Sequence, residues 1–346
     1  MKQFITLQKL QPGDKVAILS PSSGLPGLFP WVQDLGLERI KSEFGLVPIE
    51  YPTTRVMGSS LEDRARDVMD AFADPSVKGI ITSIGGSDQI KLLKYLDREV
   101  LAANPKPFFG FSDNTHVHNL LWSLGIPSYY GGAVMTQFAM QGGMHEMTVD
   151  SLRLALFTHD NYEIIGSTTY NDEGLSWAEK DNLKKTRKME PNEGHVWDKP
   201  GDAEGILWGG CVESLIVQCT TEKYLPKDSD LQGTILFLET SEGIPKPWVV
   251  KYLLTGFGER GWLNLFKAVV VGRPKAWEFD QQNNATEKEA YRKEQRETIV
   301  KTIREYNPYI PIIQNLDFGH TDPQVILPLG GKMRLEGNSQ RIFVDY

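Results

Sequence analysis

Two cysteines in 346 residues, Cys211 and Cys219, leave no CxxC pair. That excludes a disulfide framework and a cysteine-rich zinc site, and it fits a reducing compartment. Long apolar runs are missing too; nothing approaches the ~18 residues of a membrane-spanning helix. The N-terminus, MKQFITLQKLQPGDKVAIL, has no continuous apolar segment and no small-residue cleavage site, so it is not read as a secretory signal. A cytoplasmic protein away from membranes is the expectation. No Lys/Arg block stands out and the formal net charge is −8, so nucleic acid is not an expected partner. His, Cys, Asp and Glu form no cluster at metal-ligand spacing, so no metal or cofactor is expected. Internal repeats and low-complexity tracts are absent.

What remains is a balanced globular composition, 40% hydrophobic and 24% charged, in a chain long enough for two domains. Up to about residue 165, apolar runs alternate with helical patterns. KVAILSPSS, LVPIEY, VKGIITSIGG, PFFGF and IPSYYGG read as strands. WVQDLGLERIKSEFG reads as a helix stopped by Gly45, SLEDRARDVMDAFAD as a helix with a serine cap and an early acid, and SDQIKLLKYLD as another helix. Such alternation implies parallel strands with crossover helices, an α/β domain of the Rossmann-like type. Ligands bind beyond the carboxyl ends of such strands, which is where Ser20 to Ser23, Gly85-Gly86 and Ser112 fall. Residues 166–205 are polar, carry Trp177 and Trp197, and lack periodicity; they read as a linker or lid. Residues 206–346 resume as a second α/β domain ending in a hairpin near Gly337-Asn338, with the active site expected between the domains.

Ser112 admits two readings. In PFFGFSDNTHVHNLL, Ser112 or Asp113 can cap the following helix. Alternatively Ser112 is a nucleophile on a tight strand-to-helix turn, although the sequence Gly110-Phe111-Ser112-Asp113-Asn114 lacks the second glycine of the hydrolase elbow. A serine nucleophile needs a base. His116 and His118 run away along the helix, and His145, His159 and His195 sit in polar surroundings of the surface kind. His320, in the loop NLDFGHTDPQ after an apolar run, ends at the same kind of sheet edge as Ser112. Glu239 ends the buried run GTILFLE, with Glu242 three residues on. An acid beside such a run costs several kcal/mol unless paired; it either caps the strand end or orients a histidine. Gly85-Gly86 is a simple loop or an uncluttered oxyanion turn.

Four stretches, DRARDVMDAFADPSVKGIITSIGG, NPKPFFGFSDNTHVHNLL, GTILFLETSE and DFGHTDP, in this order and spacing, resemble the serine peptidase family that contains the LD-carboxypeptidases and the microcin C self-immunity peptidases. The resemblance implies Ser112 as nucleophile, His320 as base and Glu239 as its partner, with the backbone amides of Gly86 and Asp113 as oxyanion hole. It implies a homodimer that cleaves an amide bond in a small peptide or an aminoacyl-nucleotide. GGSDQ, YYGGAVMTQF and FLETSE look closer to the microcin C branch; release of a terminal D-alanine from murein tetrapeptide is the alternative. A non-catalytic small-ligand-binding protein is the rival of another class. Ser87, Asp88, Trp177, Trp197 and Lys246 are the expected substrate-binding residues. Where the family has G-G-N-L, this chain has Gly209-Gly210-Cys211-Val212. A rate that rises with pH, with a midpoint near neutrality, is expected for His320.

Overall fold

A computed structural model describes residues 2–346. The strands β1 (Lys15–Leu19), β2 (Val47–Glu50), β3 (Val77–Thr82), β4 (Phe108–Gly110) and β5 (Ser128–Tyr130) form a parallel sheet in the order β2-β1-β3-β4-β5. The inner runs are apolar because crossover helices cover both faces: β1, β3, β4 and β5 are buried along nearly their whole length, while the edge strand β2 is largely exposed. The chain steps from β1 outward to β2 and then back to β3 on the other side. The resulting crevice between β1 and β3 is where an open α/β sheet binds ligands.

The helix Pro30–Phe44 stops at Gly45, which takes the left-handed conformation. Ser60 caps Leu61–Ala73, its hydroxyl accepting the Asp63 amide at 3.1 Å. One expected helix is different. The run Ser87–Asp97 forms two short 3-10 turns, Gln89–Lys91 and Leu93–Tyr95. Gln89 is the cause: its amide donates to Asp113, its side-chain nitrogen to Ser22 and Asn114, and its side-chain oxygen accepts the Val117 amide. Those tertiary bonds hold the backbone out of α register.

A second sheet has eight strands. Its parallel centre is β10 (Ala203–Cys211), β11 (Ile235–Glu239), β12 (Ala268–Gly272) and β13 (Ile312–Leu316). Antiparallel strands extend both edges: β9 (Val196–Lys199) beside β13, and the terminal hairpin β15 (Lys332–Glu336) and β16 (Arg341–Asp345) beside β10. The two halves exchange edges. β6 (Asn161–Glu163), early in the chain, pairs with β16, and β14 (Leu327–Leu329), late in the chain, pairs with β5.

The segment 166–205 is only partly irregular. It holds the two-stranded ribbon β7 (Thr169–Tyr170) and β8 (Glu190–Pro191) and contributes β9 to the second sheet. An ionic knot fastens it. The Lys288 ammonium, on the long helix Ala285–Tyr306, meets Asp172 at 2.9 Å, Glu173 at 2.5 Å and Glu190 at 2.6 Å, and Arg292 also reaches Asp172. Folding thus brings Glu190 beside the adjacent pair Asp172 and Glu173, around the cations Lys288 and Arg292. Among the described residues no helix is long and apolar enough to cross a membrane.

Candidate active site

Ser112 follows β4 and has φ +63°. A non-glycine residue there is strained by about 1–3 kcal/mol. The helix Thr115–Ser123 has Asn114, not Ser112, at its N-cap position, with no side-chain capping bond, so the capping reading is set aside. Asp113 does cap, but elsewhere: its Oδ2 accepts the amides of Asp88 and Gln89 at 3.1 and 3.0 Å. The loop after β3 is thereby drawn onto the Ser112 turn. That approach requires glycine. A methyl group at Gly85 would stand 2.9 Å from Ser112 Cβ and 3.0 Å from Oγ, and one at Gly86 would stand 2.8 Å from Ser22 Cβ. Among the described residues, the amides of Gly86 and Asp113 donate no hydrogen bond within the protein.

The second sheet brings the other two groups. Glu239, buried at the end of β11, accepts from Tyr130 Oη at 2.6 Å through Oε1 and meets His320 Nδ1 at 2.6 Å through Oε2. His320 sits after β13, in the loop behind Gly319 (φ +94°). A side chain at Gly319 would run into Glu239. The imidazole lies edge-on to Phe111, 4.9 Å between centroids. Its Nε2 meets Glu242 Oε2 at 3.1 Å, and no hydrogen bond joins it to Ser112 Oγ among the described residues. Burial alone would lower the proton affinity of His320, but the two carboxylates outweigh it and push the value up to about 10. The neutral midpoint expected from sequence is therefore corrected upward. Buried Glu239 dominates in this, because the Glu242 side chain is 56% exposed and its field is screened.

Two cavities meet at Ser112. One, of about 590 Å³, reaches from Ser112 and His320 to Phe29, Trp177 and Phe279, with Arg187 and Lys275 on its wall. The other, of about 470 Å³, runs from Ser112 past Ser87, Cys211 and His116 to Glu213 and Asp280. Gly86, Glu242 and Glu278 border both.

The expected substrate-binding residues separate here. Trp177 and Ser87 line these cavities. Asp88 is tied to Arg64 by two contacts of 2.9 and 3.0 Å and turns away from them. Trp197 pairs with Ile313 on the outer edge of the second sheet, and Lys246 precedes the helix Pro247–Glu259; neither lines a cavity at Ser112. His118 bonds Gly110 and Ser128, and burial brings its value down to about 4. His145 and His195 are half-buried rather than surface residues, and His159 alone of the three is exposed. Sequence reasoning missed Tyr130. Its strand SYY reads as packing, and the carbonyl-side glycines after it were the one available signal of a loop at the sheet edge.

Such a group can perform acyl transfer: a hydroxyl on a strained turn, unused amides beside it, and an imidazole held by a buried acid. The comparisons agree with a hydrolase. Residues 16–131 match the LD-carboxypeptidase N-terminal domain and residues 204–335 the LD-carboxypeptidase C-terminal domain. A putative carboxypeptidase, YocD, of Bacillus subtilis (strain 168) is 29% identical over 342 residues, 97% of this chain and 98% of that one. The microcin C7 self-immunity protein MccF of Escherichia coli is 23% identical over 289 residues, covering 82% and 78%. Among solved structures, an MccF-like protein from Streptococcus pneumoniae in complex with AMP superposes with a TM-score of 0.84 at 29% identity, covering 96% of this chain and 99% of that one. An MccF-like protein from Bacillus anthracis has the same TM-score at 28% identity, with 98% of each chain covered. This chain belongs to the S66 peptidase family, that of the LD-carboxypeptidases.

Proposed function

We propose that this peptidase cleaves the amide bond of a small peptidyl- or aminoacyl-nucleotide, with Ser112 as nucleophile, His320 as general base and Glu239 as its orienting acid. The observation that carries the reading is the 2.6 Å contact of Glu239 with His320 Nδ1 on the wall of the cavity that holds Ser112. Substrate entry releases His320 Nε2 from Glu242. The imidazole takes the Ser112 hydroxyl proton as Oγ attacks the carbonyl carbon. The amides of Gly86 and Asp113 stabilise the oxyanion. Collapse of the tetrahedral intermediate breaks the C–N bond, and His320 hands its proton to the leaving nitrogen. Water, deprotonated by the same imidazole, then frees the acyl group. The unpaired cysteines suit a cytoplasmic site of action.

The nucleotide rests on the aromatic wall. Trp177 and Phe29 lie 5.9 Å apart in a T-shaped pair, and Phe279 stands exposed across the cavity. A base face stacking on one such ring is worth about 1–3 kcal/mol. Trp177→Ala then raises KM for aspartyl sulfamoyl adenosine roughly 5–150-fold and leaves slow cleavage of a murein tetrapeptide unchanged, whereas Trp197→Ala changes neither. Parallel loss of both activities in Trp177→Ala overturns the nucleotide reading, and faster turnover of the tetrapeptide by the unaltered enzyme favours release of D-alanine. The homodimer implied by the family would cover the exposed pair Trp248 and Tyr252, 5.2 Å between ring centroids; sedimentation velocity on the Trp248→Ser variant tests it.

A further inference from the structure

We propose that Tyr130 is a positioning residue that couples the nucleophile turn to the acid of the triad, so that one hydroxyl sets the geometry of both. The proposal rests on the triad reading above. Tyr130 ends β5 of the first sheet, and Glu239 ends β11 of the second. The phenol is fully buried. Its ring is walled by Phe237 at 5.1 Å and His118 at 5.4 Å.

The hydrogen-bond accounting leaves one arrangement. A phenol has a single proton and can also accept. The Ser112 amide, 3.1 Å away, is a donor, so Tyr130 Oη accepts there. The phenolic proton then goes to Glu239 Oε1 at 2.6 Å. Thr115 Oγ1 stands at 3.4 Å, but its proton is given to the Ser112 carbonyl at 2.7 Å, and it accepts the Cys211 amide at 3.1 Å. The strained peptide of Ser112 is therefore held at both ends, at N–H by Tyr130 and at C=O by Thr115. The other oxygen of Glu239 holds His320. Moving the phenol would shift nucleophile and base together.

Two consequences set it apart from ordinary packing. The Ser112 amide is buried and would otherwise lack a partner in a conformation already strained. The Glu239 carboxylate is sealed from water, and a donor on Oε1 spreads its charge and moderates its pull on the imidazole. Burial, Glu239 and Cys211 push the Tyr130 phenol well above its ordinary value of 10.0, so it stays a neutral donor. The titratable groups facing this unit are Glu239 from β11, Glu242 from the loop after it, Cys211 from β10 and His118 from the helix Thr115–Ser123.

Tyr130→Phe keeps the ring and removes the hydroxyl. On aspartyl sulfamoyl adenosine, kcat falls roughly 10–100-fold while KM stays within about twofold. Labelling of Ser112 by a fluorophosphonate slows in proportion. The acid limb of the rate profile moves to higher pH, because Glu239, stripped of its donor, holds the imidazolium more tightly. Site-specific 3-fluorotyrosine at position 130, a stronger donor of the same shape, moves the limb to lower pH, and it answers the question even if Tyr130→Phe does not fold. Wild-type kcat and limb in folded Tyr130→Phe, or an unmoved limb in the fluorotyrosine protein, overturns the positioning role. Ser112→Ala separates the two levels. If it is inactive and unlabelled while Tyr130→Phe behaves as wild type, the triad stands and this inference falls. If Ser112→Ala remains active, the triad reading itself fails.

Discussion

The turn that carries Ser112 and the strand end that carries Glu239 solve opposite problems. The first is a matter of backbone. Ser112 sits at positive φ, and the loop of Gly85-Gly86 comes so close that a methyl group has no room. The second is a matter of charge. Glu239 is a buried acid among Ile235, Leu236, Phe237 and Leu238, tolerable because Tyr130 and His320 take both of its oxygens. One half should therefore break on the addition of volume with no change of charge, the other on loss of charge with no change of volume.

The largest effect comes where the halves act as a unit. Ser112→Ala and His320→Ala should each lower kcat by on the order of 10³-fold or more, and the double variant by little beyond either. Glu239→Gln should cost less than either, because it preserves some orientation of the ring. Additive losses in steady-state kinetics would sink the triad. Gly85→Ala sharpens the contrast. It adds one carbon and no charge, and kcat should fall about 10²-fold as the turn and its amides are pushed apart. An unaffected Gly85→Ala enzyme would mean that the loop is not part of the site.

The segment 166–205 offers a different break. Lys288→Met leaves Asp172, Glu173 and Glu190 without their ammonium, and such a loss costs about 3–5 kcal/mol. Because Glu173 and Glu190 are partly exposed, the low end of that range is expected, read as an earlier urea midpoint. An unchanged midpoint would show that solvent already neutralises the knot.

The smallest effect is on pH. The free enzyme should gain kcat/KM as pH rises toward about 10, where His320 gives up its proton. Glu242→Gln removes one of the two carboxylates that favour the imidazolium, so the limb should move to lower pH, by less than Glu239 would cause. The same protonation affects stability. The folded value lies above the ordinary 6.5, so the stabilising contribution is complete below about 6.5 and is lost as pH rises through about 10. Melting curves at pH 6 and pH 10 test that sign: the deficit of His320→Ala relative to the parent should be larger at pH 6 than at pH 10, and an equal pH dependence in both would remove His320 from the linkage.

Much of this was legible in the chain. The alternation of apolar runs and helical patterns located β1 to β5, the Ser60 cap and the Gly45 stop, because each depends on residues within a few positions of one another. The four motifs single out Ser112, Glu239 and His320 as candidates from the sequence alone. The run Ser87–Asp97 was misread because its helical pattern is local, while the bonds that unmake it, from Gln89 to Asp113, Ser22, Asn114 and Val117, come from far along the chain. Trp177 and Trp197 looked alike for the same reason: both are tryptophans in a polar stretch, and only the pairing of β9 with β13 sends one to a sheet edge while the other faces the cavity.

Residue type, spacing and hydrophobic period determined the elements and named the chemistry that the side chains can do. Tertiary structure decided which of them meet. The exchange of β6 and β14 between the sheets, the Tyr130 hydroxyl shared by Ser112 and Glu239, and the contact of Glu242 with His320 join residues 18 to 201 positions apart along the chain. Hydrogen bonds and ion pairs act over about 3 Å. No local pattern can encode a distance that short between points so far separated along the chain.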